Sequence, residues 1–374
     1  MDRLKPISGQ NTRVLVVNAG SSSLKVSLVG ADDSELASRE LKASAGRFDA
    51  GELKSAIRAM EPVDAVGHRV VHGGARYSAS VLVDARVTGY LRKISDLAPL
   101  HMPAALEGIL AVRRLMPRVP AVACFDTSFH STMPPAATTY AIPARWRQRF
   151  GIRRYGFHGF SHAYSSRRAS ELLGVPPSKL RIVTCHLGSG ASLAAVERGR
   201  SVDTTMGFTP LEGVVMATRS GSIDPGIILW LQRHERMGEH ELTEALDGRS
   251  GLLGLAGTKD MREVLDQRSA GDERATLAFD VYIHRLRACI ASMAAAMDGL
   301  DVLVFTGGVG ENSAQVRGAA AAGLGFVGVA IDARSNAAIK DDGEISAKGA
   351  KVRSMVVRAR EDVEVARDVR RLLG

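Results

Sequence analysis

The chain has 374 residues, 45% hydrophobic and 24% charged, the balance of a folded protein with a sizeable core rather than a disordered one. Its formal charge of +9 invites a polyanionic partner, but the Lys and Arg are dispersed and aromatic residues make up only 5%, too few for the stacking platforms of nucleic-acid binders. Cys124, Cys185 and Cys289 stand far apart, which excludes a disulfide framework and a zinc site. A polar start and the lack of any apolar run of roughly 20 residues make the expected location cytoplasmic, with no membrane and no nucleic-acid partner.

In chain order, residues 1–12 read as a loose tail and Val14 to Val17 as a first short strand. A turn over Asn18 to Ser23 leads into a second strand, Leu24 to Val29. The pattern returns at Arg181 to His186, with a turn at Leu187 to Gly190 and another strand at Ala191 to Val196. Two strand–Gly/Ser-turn–strand units, one in each half, suggest a duplicated domain. Helices are expected over 103–115, 161–173, 226–247 and 273–298. A strand at Val302 to Phe305 enters the turn Thr306 to Asn312, and a helix starts near Ser313. A strand at Val352 to Val357 and a helix over 362–373 close the chain. The expected fold class is α/β with mixed sheets, in two domains with a cleft between them.

Glycine-rich turns bind phosphate because the backbone can approach closely and aim several N–H groups at one anion. Three such turns follow apolar strands, after Val17, His186 and Phe305. None has the G-x-x-x-x-G-K-[ST] spacing, and Gly188-Ser189-Gly190 leads into a strand, unlike a dinucleotide fingerprint. Any one of them alone reads as a plain tight turn. Three in one chain favour a nucleotide. Phosphoryl transfer also needs cations around the moving group. Dense polar clusters that carry Arg or His lie at His68 to Gly74, Gly156 to His162 and Thr218 to Asp224. A magnesium ion takes few protein ligands, and Asn18 and Glu361, each after a strand, supply suitable oxygens. Asp126 reads equally as a helix-capping or turn aspartate.

The order of these motifs resembles the acetate kinase family, within the superfamily of acetate and sugar kinases, heat-shock chaperones and actin. The carriers are Val17 to Lys25, Gly67 to Gly74, Phe125 to Thr127, Tyr155 to Gly159, Gly207 to Gly213, Gly221 to Pro225 and Phe305 to Asn312. The resemblance implies two ribonuclease-H-like (actin-like ATPase) domains, 1–140 with 362–374 and 141–361, and a homodimer. It implies reversible, direct in-line transfer between ATP and acetate, giving ADP and acetyl phosphate, with Mg2+ (or Mn2+ in its place). Asn18 and Glu361 would hold the metal, and Lys25, Ser21 and Ser23 would approach the nucleotide phosphates. His186, Leu187, Gly188, Ser189 and Gly190, then Asp260, Met261 and Arg262, then Gly308, Val309, Gly310, Glu311 and Asn312 would form the nucleotide site. Arg69 would bind the carboxylate or the acyl phosphate, and His158 and Arg219 would stabilise the moving phosphoryl group. Val71, Leu100, Phe157 and Pro210 would line the methyl pocket, and Asp126 matches the family's catalytic acid/base.

Elementary chemistry trims the last role. A carboxylate acceptor, with a pKa near the roughly 4 of Asp and Glu, is ionised at pH 7 and needs no base. Asp126 is therefore expected to orient Arg69, Arg219 or the metal shell. Three departures from the family pattern are Ser189 and Ala191 in the second turn, Arg360 beside Glu361, and a short stretch between Val29 and Val66. A propionate or butyrate kinase and a non-catalytic ATP-binding protein of the same fold stay open as alternatives.

Overall fold

A computed structural model describes residues 12–20, 23–44, 47–98 and 101–374. Its chain forms two compact units. The first comprises the described residues up to Ser131, Phe157–Phe160 and Arg360–Gly374, and the second Thr132–Gly156 and Ser161–Ala359.

The first unit holds a seven-stranded sheet. Its strands are β1 (Val14–Ala19), β2 (Ser23–Val29), β3 (Glu35–Ser44), β4 (Arg47–Phe48), β5 (Ala65–Val70), β6 (Val81–Leu82) and β7 (Ala121–Phe125), in the order β4-β3-β2-β1-β5-β7-β6. Strand β1 pairs antiparallel with β2 and parallel with β5, which pairs parallel with β7. Alternate β1 side chains enter opposite cores, as the two-residue period requires. Leu15 and Val17 join Leu53, Ile57 and Val112 on one face, while Val14 and Val16 join Val365, Ala366 and Val369 of the C-terminal helix on the other. A strand buried on both sides must be apolar throughout, which is why Val14 to Val17 carries no polar residue.

The second unit holds six strands: β8 (Arg181–Leu187), β9 (Ala191–Glu197), β10 (Arg200–Thr204), β11 (Val302–Thr306), β12 (Gly343–Glu344) and β13 (Arg353–Val356), in the order β10-β9-β8-β11-β13-β12. Here β8 is antiparallel to β9 and parallel to β11, which is parallel to β13. The ordering β3-β2-β1-β5-β7 in one sheet and β10-β9-β8-β11-β13 in the other is the same plan with the same strand senses. This is a doubled ribonuclease-H-like fold with mixed sheets.

Two expected elements differ. The helix read over 226–247 is two helices, Pro225–His234 and Glu239–Gly248, because Arg236 takes a left-handed conformation (φ 55°) that ends the first. The turn after β11 winds into a short helix at once, Gly307–Asn312, before a second helix, Ala314–Ala322. No helix among the described residues is long and apolar enough to cross a membrane.

Candidate active site

In the first unit, register places the candidate side chains. Asn18 sits opposite Arg69 in the β1–β5 ladder and opposite Lys25 in the β1–β2 ladder, and Asp126 follows the end of β7. Glu361 opens the helix Glu361–Leu373, in the first turn, where the helix dipole favours a carboxylate. That helix packs so closely on β5 that a Cβ on Gly67 would lie 2.7 Å from Val365 Cγ1.

These elements bring four polar side chains together. Arg69 donates through Nε to Asp126 Oδ1 at 3.0 Å and through Nη2 to Oδ2 at 2.7 Å, a bidentate pair. Its Nη1 lies 2.9 Å from Glu361 Oε2 and donates to Asn18 Oδ1 at 3.3 Å. Asp126 is 1% exposed. Burial opposes the charge on Arg69, but the Asp126 and Glu361 carboxylates outweigh it and hold the guanidinium pKa above its ordinary value. Of the roles open to Asp126, orienting Arg69 is the one this geometry displays. Arg360, the departure beside Glu361, turns to Asp362 instead, with Nε and Nη2 each 3.0 Å from one of its oxygens.

The segment Phe157–Phe160, which enters the helix Gly159–Leu173, is strapped to this cluster. Gly159 N donates to Asp126 O at 3.0 Å, and His130 Nε2 and Phe157 O lie 3.0 Å apart. A Cβ on Gly159 would sit 2.0 Å from Asp126 O, so only glycine allows this approach. Next to it, His158 is held at φ 55°, a strained conformation typical of functional loops. Phe157 is buried and meets His72 edge-on at 5.4 Å, and Val71 packs against the core under β5 and β7. Burial drives His130 down to about 4, so its ring is neutral at pH 7. Ser23 starts β2, and Lys25 Nζ lies 3.8 Å from Glu35 on the surface. Ser21 and Leu100 lie outside the described residues.

In the second unit, His186 and Leu187 end β8, and Gly188 N closes the turn on Gly190 O at 3.0 Å. Ser189 offers its carbonyl to Ala217 N at 3.1 Å, and Ala191 buries its methyl group. His186 Nδ1 and Ser161 Oγ lie 2.7 Å apart. Gly307 (φ 77°) brings the third glycine turn against the second, since its Cβ would lie 2.8 Å from Leu187 O. Gly308, Val309 and Gly310 follow within the short helix. Glu311 and Asn312 spend their side chains on backbone. Glu311 Oε1 accepts from Gly307 N and Ala359 N, both at 2.9 Å, and Asn312 Nδ2 donates to Gly308 O at 2.8 Å.

Arg219 donates through Nη1 to Pro210 O at 3.3 Å. Burial lowers its pKa, with Asp247 at 4.0 Å opposing the shift. Asp260 caps the helix Met261–Ser269 and pairs with the exposed Arg262 at 2.5 Å, while Met261 is buried. Sequence reasoning passed over Arg317. It is 1% exposed and donates to Gly310 O, Glu311 O and both oxygens of Asn336, at 2.7–2.9 Å. No carboxylate among the described residues pairs with it. An Arg four residues after the expected start of a helix gives no sign in sequence that it faces inward.

The chain is similar to known proteins over most of its length. The sequence model of the acetokinase family matches residues 38–367. An acetate kinase of Microcystis aeruginosa (strain NIES-843 / IAM M-2473) is 50% identical over 319 residues, covering 85% of this chain and 79% of that protein. The crystal structure of Porphyromonas gingivalis acetate kinase superposes with a TM-score of 0.88 at 37% identity, over 97% of this chain and 100% of that one. A propionate kinase from Francisella tularensis subsp. tularensis SCHU S4 gives 0.87 at 37% identity, over 96% and 98%.

Proposed function

The chain belongs to the acetokinase family, and from that premise we propose that it transfers the γ-phosphoryl group of ATP to acetate, reversibly, giving ADP and acetyl phosphate. The observation that carries the reading is the Arg69 cluster, a guanidinium fixed by Asp126 from one side and by Asn18 and Glu361 from the other.

The cluster suits a divalent metal. It holds one positive and two negative side chains, so an anionic substrate meets surplus negative charge unless a cation binds. The available donors, Asn18 Oδ1 and Glu361 Oε2, are hard oxygens of the kind Mg2+ prefers. Asn18 and Glu361 would hold the ion, which when bound neutralises charge on the phosphate oxygens. Arg69 then presents its guanidinium to the acceptor carboxylate in an orientation set by Asp126. His158 and Arg219 supply donors where charge develops on the transferring group, and the partly desolvated Arg219 acts more strongly for being buried. The turns Gly188–Gly190 and Gly307–Asn312 would cradle the nucleotide with backbone N–H groups. Acetate attacks as the carboxylate, so no protein group removes a proton.

A hydroxamate assay with Mg2+-ATP and acetate, propionate or butyrate tests the reading. Acetyl phosphate is expected to form fastest. No acyl phosphate from any of the three, with ATP still bound, would leave a non-catalytic ATP-binding protein. A preference for propionate would select the function that the Francisella neighbour's name states.

The functional unit is proposed to be a homodimer. The helix Pro225–His234 buries none of its residues and exposes Ile227, Leu229 and Trp230, with Ile223 nearby, an apolar face suited to a second copy. Light scattering should give twice the 39.8 kDa of one chain, and a single-chain mass would rule this out.

A further inference from the structure

The segment Thr205 to Pro210 has no regular secondary structure, yet it ends on the carbonyl that receives Arg219 Nη1 at 3.3 Å. Its backbone groups must find partners outside a ladder. Arg154 Nη1 donates to Thr205 O and Met206 O, each at 3.1 Å. Tyr155 N and Gly156 N converge on Gly207 O at 3.0 and 3.3 Å, and Phe208 N donates to the Tyr140 hydroxyl at 3.0 Å.

Glu212, two residues beyond Pro210, closes the arrangement. One of its oxygens accepts from Arg154 Nη2 at 2.7 Å and the other from the Tyr140 hydroxyl. The guanidinium of Arg154 also lies 5.4 Å from the centre of the Tyr140 ring. The space is full: a Cβ on Gly207 would sit 1.8 Å from Glu212 Oε2 and 2.1 Å from the Tyr140 oxygen. Burial, aided by Glu212, pushes the Tyr140 pKa above its ordinary value, so the hydroxyl keeps its proton to donate. Four successive residues, Thr205 to Phe208, are thus latched, three by the side chains of Arg154 and Tyr140 and Gly207 by backbone, and Glu212 locks the two side chains together.

We propose that Tyr140, Arg154 and Glu212 are positioning residues that fix the loop carrying Pro210, and through its carbonyl Arg219, and so set selectivity for the acceptor acid. The inference rests on the reading of Pro210 as a wall of the acceptor site. None of the three needs to touch substrate. A loop held to a few tenths of an ångström discriminates one methylene. A loosened loop accepts the larger acid at the expense of the smaller.

The test compares acetate and propionate in wild type, Tyr140→Phe, Glu212→Gln and Glu212→Ala, with KM for ATP measured alongside. Tyr140→Phe removes one oxygen and leaves Phe208 N without its acceptor. Its KM for acetate should rise about tenfold and its acetate-over-propionate preference fall about fivefold, with KM for ATP within about twofold. Glu212→Gln keeps one acceptor oxygen and should fall between wild type and Glu212→Ala. Should Tyr140→Phe not fold, Glu212→Gln carries the same readouts. Acetate and ATP constants rising together would show a merely structural role. An unchanged acetate KM and preference in folded variants would equally overturn the proposal. A wild type inactive with both acids would instead overturn the functional reading, so the two failures are distinguishable.

Discussion

Asp126→Asn is expected to lower kcat by about a hundredfold to a thousandfold and to leave the acid limb of the pH–rate profile where it stands in the wild type. Asn has the shape of Asp but offers one acceptor oxygen where the Arg69 fork needs two, at 3.0 and 2.7 Å. Its amide would point a donor at a donor. Arg69 then swings away from the acceptor, and a misplacement of about 1 Å is enough for a hundredfold loss. Acetate is already an anion at pH 7, so deleting a carboxylate removes orientation and no proton transfer. Rates measured from pH 4.5 to 9 decide the matter. A carboxylate-range limb present in wild type and missing in Asp126→Asn would make Asp126 a true acid/base.

Arg69→Ala should be more damaging, by about a thousandfold or more in kcat/KM, and it should also weaken the fold. The change strands two carboxylates with no cation, one of them 1% exposed. Breaking one side of a buried pair costs about 3–5 kcal/mol. Thermal unfolding checks the second part, since the Tm of Arg69→Ala should fall below that of the wild type, and an unchanged Tm would mean that the paired carboxylates add nothing to the fold.

Much of this was legible in the sequence because strand ends are. An apolar run that meets a polar residue announces where a sheet delivers its side chains, as at Asn18 after Val14 to Val17 and at Asp126 after Ala121 to Phe125. Glu361 was legible for a related reason, at the junction of the last strand and the closing helix. The destinations of side chains were not. Glu311 stands in a nucleotide-type motif, yet its carboxylate binds Ala359 N, far along the chain. Arg317 and the Tyr140–Arg154–Glu212 cluster are invisible for a related cause, since their partners are backbone atoms or side chains far along the chain, and residue type encodes neither. The break at Arg236 was missed because a left-handed arginine has no compositional mark.

The doubled sheet lets the two halves be compared position by position. Asn18 precedes the last paired residue of its hairpin, and so does His186. The parallel neighbour of Asn18 is Arg69, and that of His186 is Thr306. The two halves therefore share one strand plan and differ in the side chains that it delivers. At the matching strand tips one half carries Asn18 beside Arg69, and the other carries His186 beside Thr306. A substitution at a strand tip in one half consequently meets different neighbours from the matching change in the other, although the backbones correspond strand for strand.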